Sequence, residues 1–527
     1  MSDPVRPKAR PVPPGELGLW NWAAVDPDRP AMITQAGRTL SFAELAELAN
    51  QSTHGLRAAG CQVGDTIAVM LPNDVELMRL FLGAIQGGFY ITIINYHLMP
   101  AEVAYVLEDC GARLFVGDAR YAEAAVAAVA ALPRPPERLY CVGAIPGFRP
   151  IAELTDGMPR SRPADRHLGD RMQYTSGTTG KPKGVRRKLQ DVDVDVAISK
   201  PGPPFGIRAG DGVHLITGPM YHSAPTSVGS QALNYGYTLV VMDKWSAAET
   251  VRLIQQYGVT HTHMVPTMFH RLLRWRAESG EQISLPSLET VVHGAAPISP
   301  GLKKQMIEWW GPIFCEYFGS TEISGTVVDS RDWLAHPGTV GKPWAGVELK
   351  VLDVDGNDCP AGVPGRIYFR APNRPVFEYH NNAKDTNAGR IGEFVTVGDI
   401  GYLDAEGWLY PCDRAAHMII SGGVNIYPAE VEAVLLEHPL VSDAAVVGIP
   451  NEEWGEEVKA VVELMPGATG TPELAEELVA YTRSRIAHFK CPRSVDFDDQ
   501  LPRDANGKMY KRLVRERYWE GRESRII

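Results

Sequence analysis

Twelve consecutive positions, Tyr174-Thr175-Ser176-Gly177-Thr178-Thr179-Gly180-Lys181-Pro182-Lys183-Gly184-Val185, concentrate three glycines, five hydroxyl-bearing residues and two lysines. Glycine tolerates positive φ, so successive backbone N–H groups can turn inward and, with the hydroxyls, surround phosphate oxygens. The lysines bring mobile positive charge to a polyanion. The string departs from the common phosphate loop GxxxxGK[ST], because only two threonines separate Gly177 from Gly180 and proline follows Lys181. Thr175, Ser176, Gly177, Thr178, Thr179, Gly180 and Lys183 are therefore candidate phosphate contacts.

Further chemistry-bearing clusters lie downstream. Gly218-Pro219-Met220-Tyr221-His222 follows an expected strand, and residues just beyond strand C-termini line the ligand crevice of a parallel α/β sheet, so His222 can face a carboxylate. Gly294-Ala295-Ala296-Pro297 follows another strand, and its small residues let a flat base or an acyl chain approach the backbone. In Glu316-Tyr317-Phe318-Gly319-Ser320-Thr321-Glu322 the aromatics offer a stacking face for adenine, Thr321 a hydroxyl for phosphate and Glu322 a hard oxygen ligand for Mg²⁺. Asp399, after Gly398, can accept both hydrogen bonds of a ribose diol, and Arg414 can reach ribose or phosphate oxygens. The Gly422-Gly423 pair lets a narrow ligand such as a pantetheine arm pass close to the backbone.

The elements that must position these residues follow from periodicity. Segments 42–56, 75–85 and 100–108 read as helices, with Ser41 at the N-cap of the first, and 66–70, 90–94 and 113–116 read as strands. The alternation continues with strands at 214–217, 238–242, 261–265 and 289–292 and helices at 247–257 and 268–275. Strands separated by helices imply βαβ units and mostly parallel sheets. From about residue 338 the texture becomes β-rich and Gly/Pro-punctuated, and after Asp413-Arg414 a smaller α+β unit begins. The expected fold is α/β: a disordered tail at 1–15, a large multi-subdomain N-terminal domain at 16–414, and a small mobile C-terminal domain at 415–527. At 527 residues more than one core is required.

The net charge of −11 argues against a nucleic-acid partner. Seven scattered cysteines, never in a CxxC pair, suggest neither disulfides nor a zinc site and fit a reducing cytoplasm. The Pro/Arg-rich start has no apolar signal-peptide core, and the apolar stretch 80–96 is broken by Gln86 and Gly87-Gly88, so no transmembrane segment is expected. Weak membrane association and a homodimer are both compatible with the sequence.

Taken in order, these motifs resemble the adenylate-forming (AMP-binding) superfamily, of the acyl-CoA synthetase or fatty-acyl-CoA ligase type, over residues 15 to 515. The resemblance implies an active site between the two domains that binds ATP, Mg²⁺, CoA and a small carboxylic acid. It places His222 beside the acyl carboxylate, Gly294, Ala295 and Ala296 in the wall of the adenine and acyl pockets, and Lys508, in Leu501-Pro502-Arg503-Asp504-Ala505-Asn506-Gly507-Lys508, against the reacting carboxylate and α-phosphate. It implies catalytic roles for Lys508, Thr321, Glu322 and His222, and nucleotide contacts by Glu316, Tyr317, Phe318, Gly319, Ser320, Asp399 and Arg414. Gly422 and Gly423 would line the CoA tunnel. Ala416 stands where the family has a charged hinge residue, Phe318 where it has tyrosine, and Val397 where a threonine precedes the glycine-aspartate pair. His417 next to the hinge suggests a pH-dependent domain poise. The implied reaction is ATP-dependent adenylation of a hydrophobic acid, fatty or bulky alicyclic to steroid-like, followed by transfer to CoA. The alternatives are an acyl-AMP ligase serving another acceptor, an aryl-acid CoA ligase and, last, a non-catalytic nucleotide-binding regulator.

Overall fold

The computed structural model describes residues 17–175, 182–199, 204–210, 212–280, 283–372, 375–414, 417–421, 424–451, 454–503 and 509–520. The fold is mixed α/β, with a large N-terminal domain and a smaller C-terminal one. Its first sheet is wholly parallel and has Thr66–Met70 near its centre, flanked by Ala112–Asp118 and Tyr90–Ile93. Every residue of Thr66–Met70 is buried, which explains why it reads as a continuous apolar run rather than an alternating one. The Phe42–Ala58 helix packs on this layer. Ser41 caps it by accepting from Glu44 N, while the Glu44 carboxylate accepts from Ser41 N.

The second sheet has nine strands, and six of them run parallel from Pro30–Thr34 through Thr238–Val241, Val213–Ile216, His261–Met264 and Thr290–His293 to Phe314–Gly319. Pro30–Thr34 pairs with Thr238–Val241, about two hundred residues away, and no local pattern announces such a partner. Strand alternation then sorts the side chains. His263 lies opposite Val292 and Val292 opposite Cys315, so these three and Tyr317 share one face, beneath the Ser223–Asn234 helix. Met264, Val291 and Phe314 share the other face, packed under Ala247–Tyr257, Pro266–Ser279 and Pro300–Trp310.

Gln173–Thr175 and Lys183–Arg187 are antiparallel, with Lys183 opposite Thr175 and Phe377–Tyr379 on the far edge. Glu348–Leu352, Gly365–Arg370, Asp399–Leu403 and Leu409–Arg414 form the antiparallel β-rich sheet. Arg414 ends that sheet, and Ile419–Ser421 opens the next one, built on the long hairpin Val441–Asn451 with Gly455–Leu464. The Pro428–Leu435 and Pro472–Arg483 helices bury Val431, Leu435 and Leu478 against it. No helix among the described residues is long and apolar enough to cross a membrane.

Candidate active site

A cavity of about 2760 Å³ lies between the N-terminal sheets and the C-terminal unit. Its lining includes Thr175, Lys183, His222, Thr321, Glu322 and Asp399. Residues remote in sequence thus meet at one place, each at a strand end, at the start of a helix or, for Thr321 and Glu322, in the turn joining two strands.

The two feet of the phosphate loop are the strand ends Thr175 and Lys183. Ser176, Gly177, Thr178, Thr179 and Gly180 lie outside the described residues. At Gly184 a Cβ would stand 2.9 Å from the Tyr174 ring, so the strand pair closes only with glycine there. Lys183 pairs with Asp385 at 2.6 Å, over the Tyr379 ring. The Lys183 hydrogen bond in turn holds the Asp385 carboxyl below its usual range.

The Thr321-Glu322 turn is held from three sides. Arg187 Nη2 donates to Thr321 O at 3.0 Å and Glu322 O at 2.9 Å. Ser320 Oγ accepts from Glu322 N and Ile323 N, both at 3.2 Å. The Tyr379 hydroxyl donates to Glu322 Oε1 at 2.9 Å, which aims the carboxylate. Among the described residues no three His, Cys, Asp or Glu side chains gather as a metal site. A Mg²⁺ ion here would take Glu322 and complete its shell with phosphate and water oxygens, which suits that ion's habits.

His222 is the N-cap residue of the Ser223–Asn234 helix, its ring against Tyr221. The preceding turn is bracketed by buried Asn73, whose amide donates to Gly218 O and Met242 O and accepts from Met220 N. Arg171 Nη1 donates to Ser227 Oγ at 2.6 Å, one helical turn from Ser223, and burial lowers its guanidinium from the usual range. Arg171 and Arg187 both line the cavity. Asn73, Arg171 and Tyr379 escaped the sequence reading, because each acts only through strand pairing or a contact distant in sequence. Arg187 belongs to the basic run Arg186-Arg187-Lys188, which reads from sequence as a solvated turn that can touch phosphate, whereas it lies in the strand Lys183–Arg187 and holds Thr321 O and Glu322 O.

The Glu316–Glu322 segment divides by strand face. Glu316 turns away from the helix Ser223–Asn234 and pairs with the buried Lys303 of Pro300–Trp310, beside His293. Burial pulls Lys303 down and Glu316 up, while each partner's opposite charge resists that shift. That partner occupies the carboxylate suggested above as a nucleotide contact. Tyr317 turns the opposite way, onto the face with His263, whose Nε2 lies 3.2 Å from the phenol oxygen. Phe318, expected to stack on adenine, lines the cavity with its ring 6.2 Å from that of Phe369.

Gly294 lies beneath Tyr317, where a Cβ would come within 2.6 Å of Tyr317 O and 2.7 Å of its ring. Ala295 holds φ at 64°, a left-handed conformation that costs an L-residue about 1–2 kcal/mol, and Ala296 follows it in the cavity wall. Asp399 opens its strand directly opposite Arg414. The missing threonine at Val397 is replaced from one residue upstream, since Thr396 Oγ1 accepts from Gly398 N at 3.1 Å.

Ala416, Gly422, Gly423 and Lys508 lie outside the described residues. The feet of the Lys508 loop are nonetheless fixed by a bridge between Arg503 and Met509 and by Tyr510 N donating to Pro502 O. Past that loop the partly buried Lys511 lies between Glu432, at 2.8 Å, and Asp413, at 3.6 Å. Burial opposes the Lys511 charge, but the two carboxylates outweigh it and raise the ammonium above its usual range. Asp413 also accepts from Ala429 N and faces His417 Nδ1 at 3.3 Å.

The chain matches the AMP-binding enzyme family over residues 19–376 and the AMP-binding enzyme C-terminal domain over 430–508. It is 32% identical to a fatty acid–[acyl-carrier-protein] ligase, ScoC, of Streptomyces coeruleorubidus over 503 residues, 94% of each chain. It is also 32% identical to a feruloyl-CoA synthase of Amycolatopsis sp over 516 residues, covering 95% of this chain and 99% of the relative. Among solved structures, the o-succinylbenzoate CoA synthetase of Bacillus subtilis with its acyl-adenylate intermediate superposes with a TM-score of 0.80 at 28% identity, covering 94% of this chain and 97% of the other. With the motifs in order around one cavity and these likenesses end to end, the protein belongs to the AMP-binding enzyme family, as an adenylate-forming acid–thiol ligase of the acyl-CoA synthetase type.

Proposed function

We propose that the protein adenylates a hydrophobic carboxylic acid with ATP, releasing pyrophosphate, and then passes the acyl group to CoA, releasing AMP. The observation that carries this reading is the single cavity onto which Thr175, Lys183, His222, Thr321, Glu322 and Asp399 converge. The acid carboxylate lies by His222 at the start of the Ser223–Asn234 helix and attacks the α-phosphorus. The loop from Thr175 to Lys183 and the Thr321 hydroxyl bind the phosphates, and Asp399 takes the ribose diol. Glu322 would hold Mg²⁺, which would supply charge neutralisation to the phosphates. Lys508 offsets the charge growing on the reacting oxygens, a contribution of about 3–4 kcal/mol per preorganised donor. After pyrophosphate leaves, the C-terminal unit turns about Ala416, Lys508 withdraws, and Gly422 and Gly423 admit the pantetheine thiol, which displaces AMP.

The aromatic rings of Phe205, Tyr317 and Trp344 near the acyl wall favour a compact ring-bearing acid over an extended fatty chain or a steroid-like acid. A carrier-protein phosphopantetheine is the second acceptor to consider, because the ScoC relative is named for that transfer. Lys508→Ala tests the mechanism. Adenylation, read as acid-dependent ATP–pyrophosphate exchange, falls about 100-fold or more on the scale of losing one such donor. Thioester formation from supplied acyl-adenylate persists. Unchanged exchange in this variant refutes the assignment of Lys508.

A further inference from the structure

The cup between the second sheet and the Ser223–Asn234 helix is apolar, built from Phe205, Val228, Val292, Cys315 and Trp344. Phe205 sits 5.3 Å from Tyr317 by ring centroid and 6.2 Å from Trp344, edge to face. The Tyr317 ring lies against Gly294, where no Cβ fits, so it closes the cup on that side. Into this surround the sheet sends a polar pair, the Tyr317 hydroxyl and His263 Nε2, 3.2 Å apart, and both residues line the cavity.

The donor and acceptor count of the pair is informative. Burial pushes the His263 imidazole down to about 3, so it is neutral at ordinary pH, and burial also raises the Tyr317 phenol, so it keeps its proton. If the phenol donates to Nε2, its oxygen still accepts; if it accepts from Nε2–H, its own proton is free to donate. Among the described residues the phenol makes no other hydrogen bond. One hydrogen-bonding capacity is therefore left toward the cavity, in either direction. A purely aliphatic acyl chain would cover it without satisfying it, at the cost of a buried unpaired polar group. A second carboxylate fits poorly, because a neutral pair in an apolar cup cannot repay the desolvation of an anion.

Resting on the ligase reading above, we propose that Tyr317, backed by His263, is a specificity-determining residue that selects a compact ring-bearing acid carrying a neutral oxygen substituent on the ring. The phenol meets a hydroxyl, ether or ketone oxygen, while His263 supplies the compensating donor or acceptor.

The test compares kcat/KM for acid-dependent ATP–pyrophosphate exchange in the full-length protein and in Tyr317→Phe, a change that keeps the ring and its packing. The probes are benzoic and cinnamic acids carrying hydroxyl, methyl or carboxylate at the 3- or 4-position, with straight-chain acids of equal carbon number. The proposal expects the wild type to prefer a hydroxyl acid over its methyl isostere by at least about 10-fold, and to reject the dicarboxylic acids. In Tyr317→Phe the hydroxyl-to-methyl ratio falls toward one, and melting temperature and ATP affinity report that the variant is folded. Equal ratios in the two proteins, or a wild-type preference for straight-chain or dicarboxylic acids, overturns the proposal and leaves the ligase reading standing. Exchange with none of the acids, in a protein that still binds ATP, overturns both.

Discussion

The Tyr379 hydroxyl and Glu322 Oε1 are 2.9 Å apart, so a phenol from the edge of the phosphate-loop sheet aims a carboxylate that belongs to the neighbouring sheet. On the proposed reading, the bond fixes which Glu322 oxygen would meet Mg²⁺. Tyr379→Phe removes it without removing the ring beneath Lys183. Losing one hydrogen bond to a charged group at a part-exposed site corresponds to about 1.4 kcal/mol, or 10-fold. The expected outcome is a 10-fold slower adenylation with a raised Mg²⁺ requirement, measured as exchange rate against Mg²⁺ concentration. An unchanged Mg²⁺ dependence would disconnect Tyr379 from Glu322.

Arg187 grips the other end of the same turn, with one nitrogen serving two carbonyls. Arg187→Met leaves Thr321 O and Glu322 O without that donor. Adenylation should fall about 10- to 100-fold while the CoA step, run from supplied adenylate, changes much less. Equal losses in both steps would mean that Arg187 serves the whole cavity rather than the phosphate turn.

The Lys303–Glu316 pair is a stability element. Its side chains are 0% and 6% exposed, so removing one partner strands a buried charge. Lys303→Met should cost about 3–5 kcal/mol in denaturant unfolding, and Lys303→Met with Glu316→Gln should recover most of it. Glu316→Gln should leave the KM for ATP near the wild-type value; a large rise would restore Glu316 to the nucleotide site.

Four histidines, His214, His261, His263 and His293, are buried in adjacent parallel strands. Burial lowers all of them, His261 to about 4 and His263 to about 3. Each ring therefore stays neutral in the folded chain but takes a proton near pH 6.5 once unfolded. Below that pH the unfolded state binds more protons, so stability is full above about 6.5 and falls as the pH drops. The slope approaches about 1.4 kcal/mol per pH unit for each histidine. Melting temperature should fall steadily from pH 6.5 to 5, above the range where carboxylates titrate. A flat profile across that window would show that the rings are protonated, or exposed, in the fold.

Much of the architecture was legible because its signals are local. Ala247–Tyr257 has Ser246 at its N-cap and Gly258 in a left-handed C-cap, and both ends fall where the sequence puts them. The Ser223–Asn234 helix was hidden because its polar face, including Ser227, Ser230 and Gln231, lines the cavity, and Pro225 lies in its first turn. Pro30–Thr34 was hidden because its partner strand is remote. Within the site, motif residues such as Thr321, Glu322 and Asp399 could be read from their type and spacing. Two of their supports, Tyr379 and Asn73, could not, since each is defined by a hydrogen bond between distant segments. The opposed roles of Glu316 and Tyr317 follow from a one-residue alternation, which becomes visible only when the sheet's two covering layers are known.

The most direct measurement is product analysis with ATP, Mg²⁺ and a panel of hydrophobic acids, with and without CoA. The account predicts AMP, pyrophosphate and an acyl-CoA in equal amounts when acid and CoA are both present. With CoA left out, bound acyl-adenylate should form with little turnover. Accumulation of acyl-adenylate that CoA does not consume would contradict CoA as the acceptor, and release of ADP in place of AMP would contradict the adenylation chemistry itself.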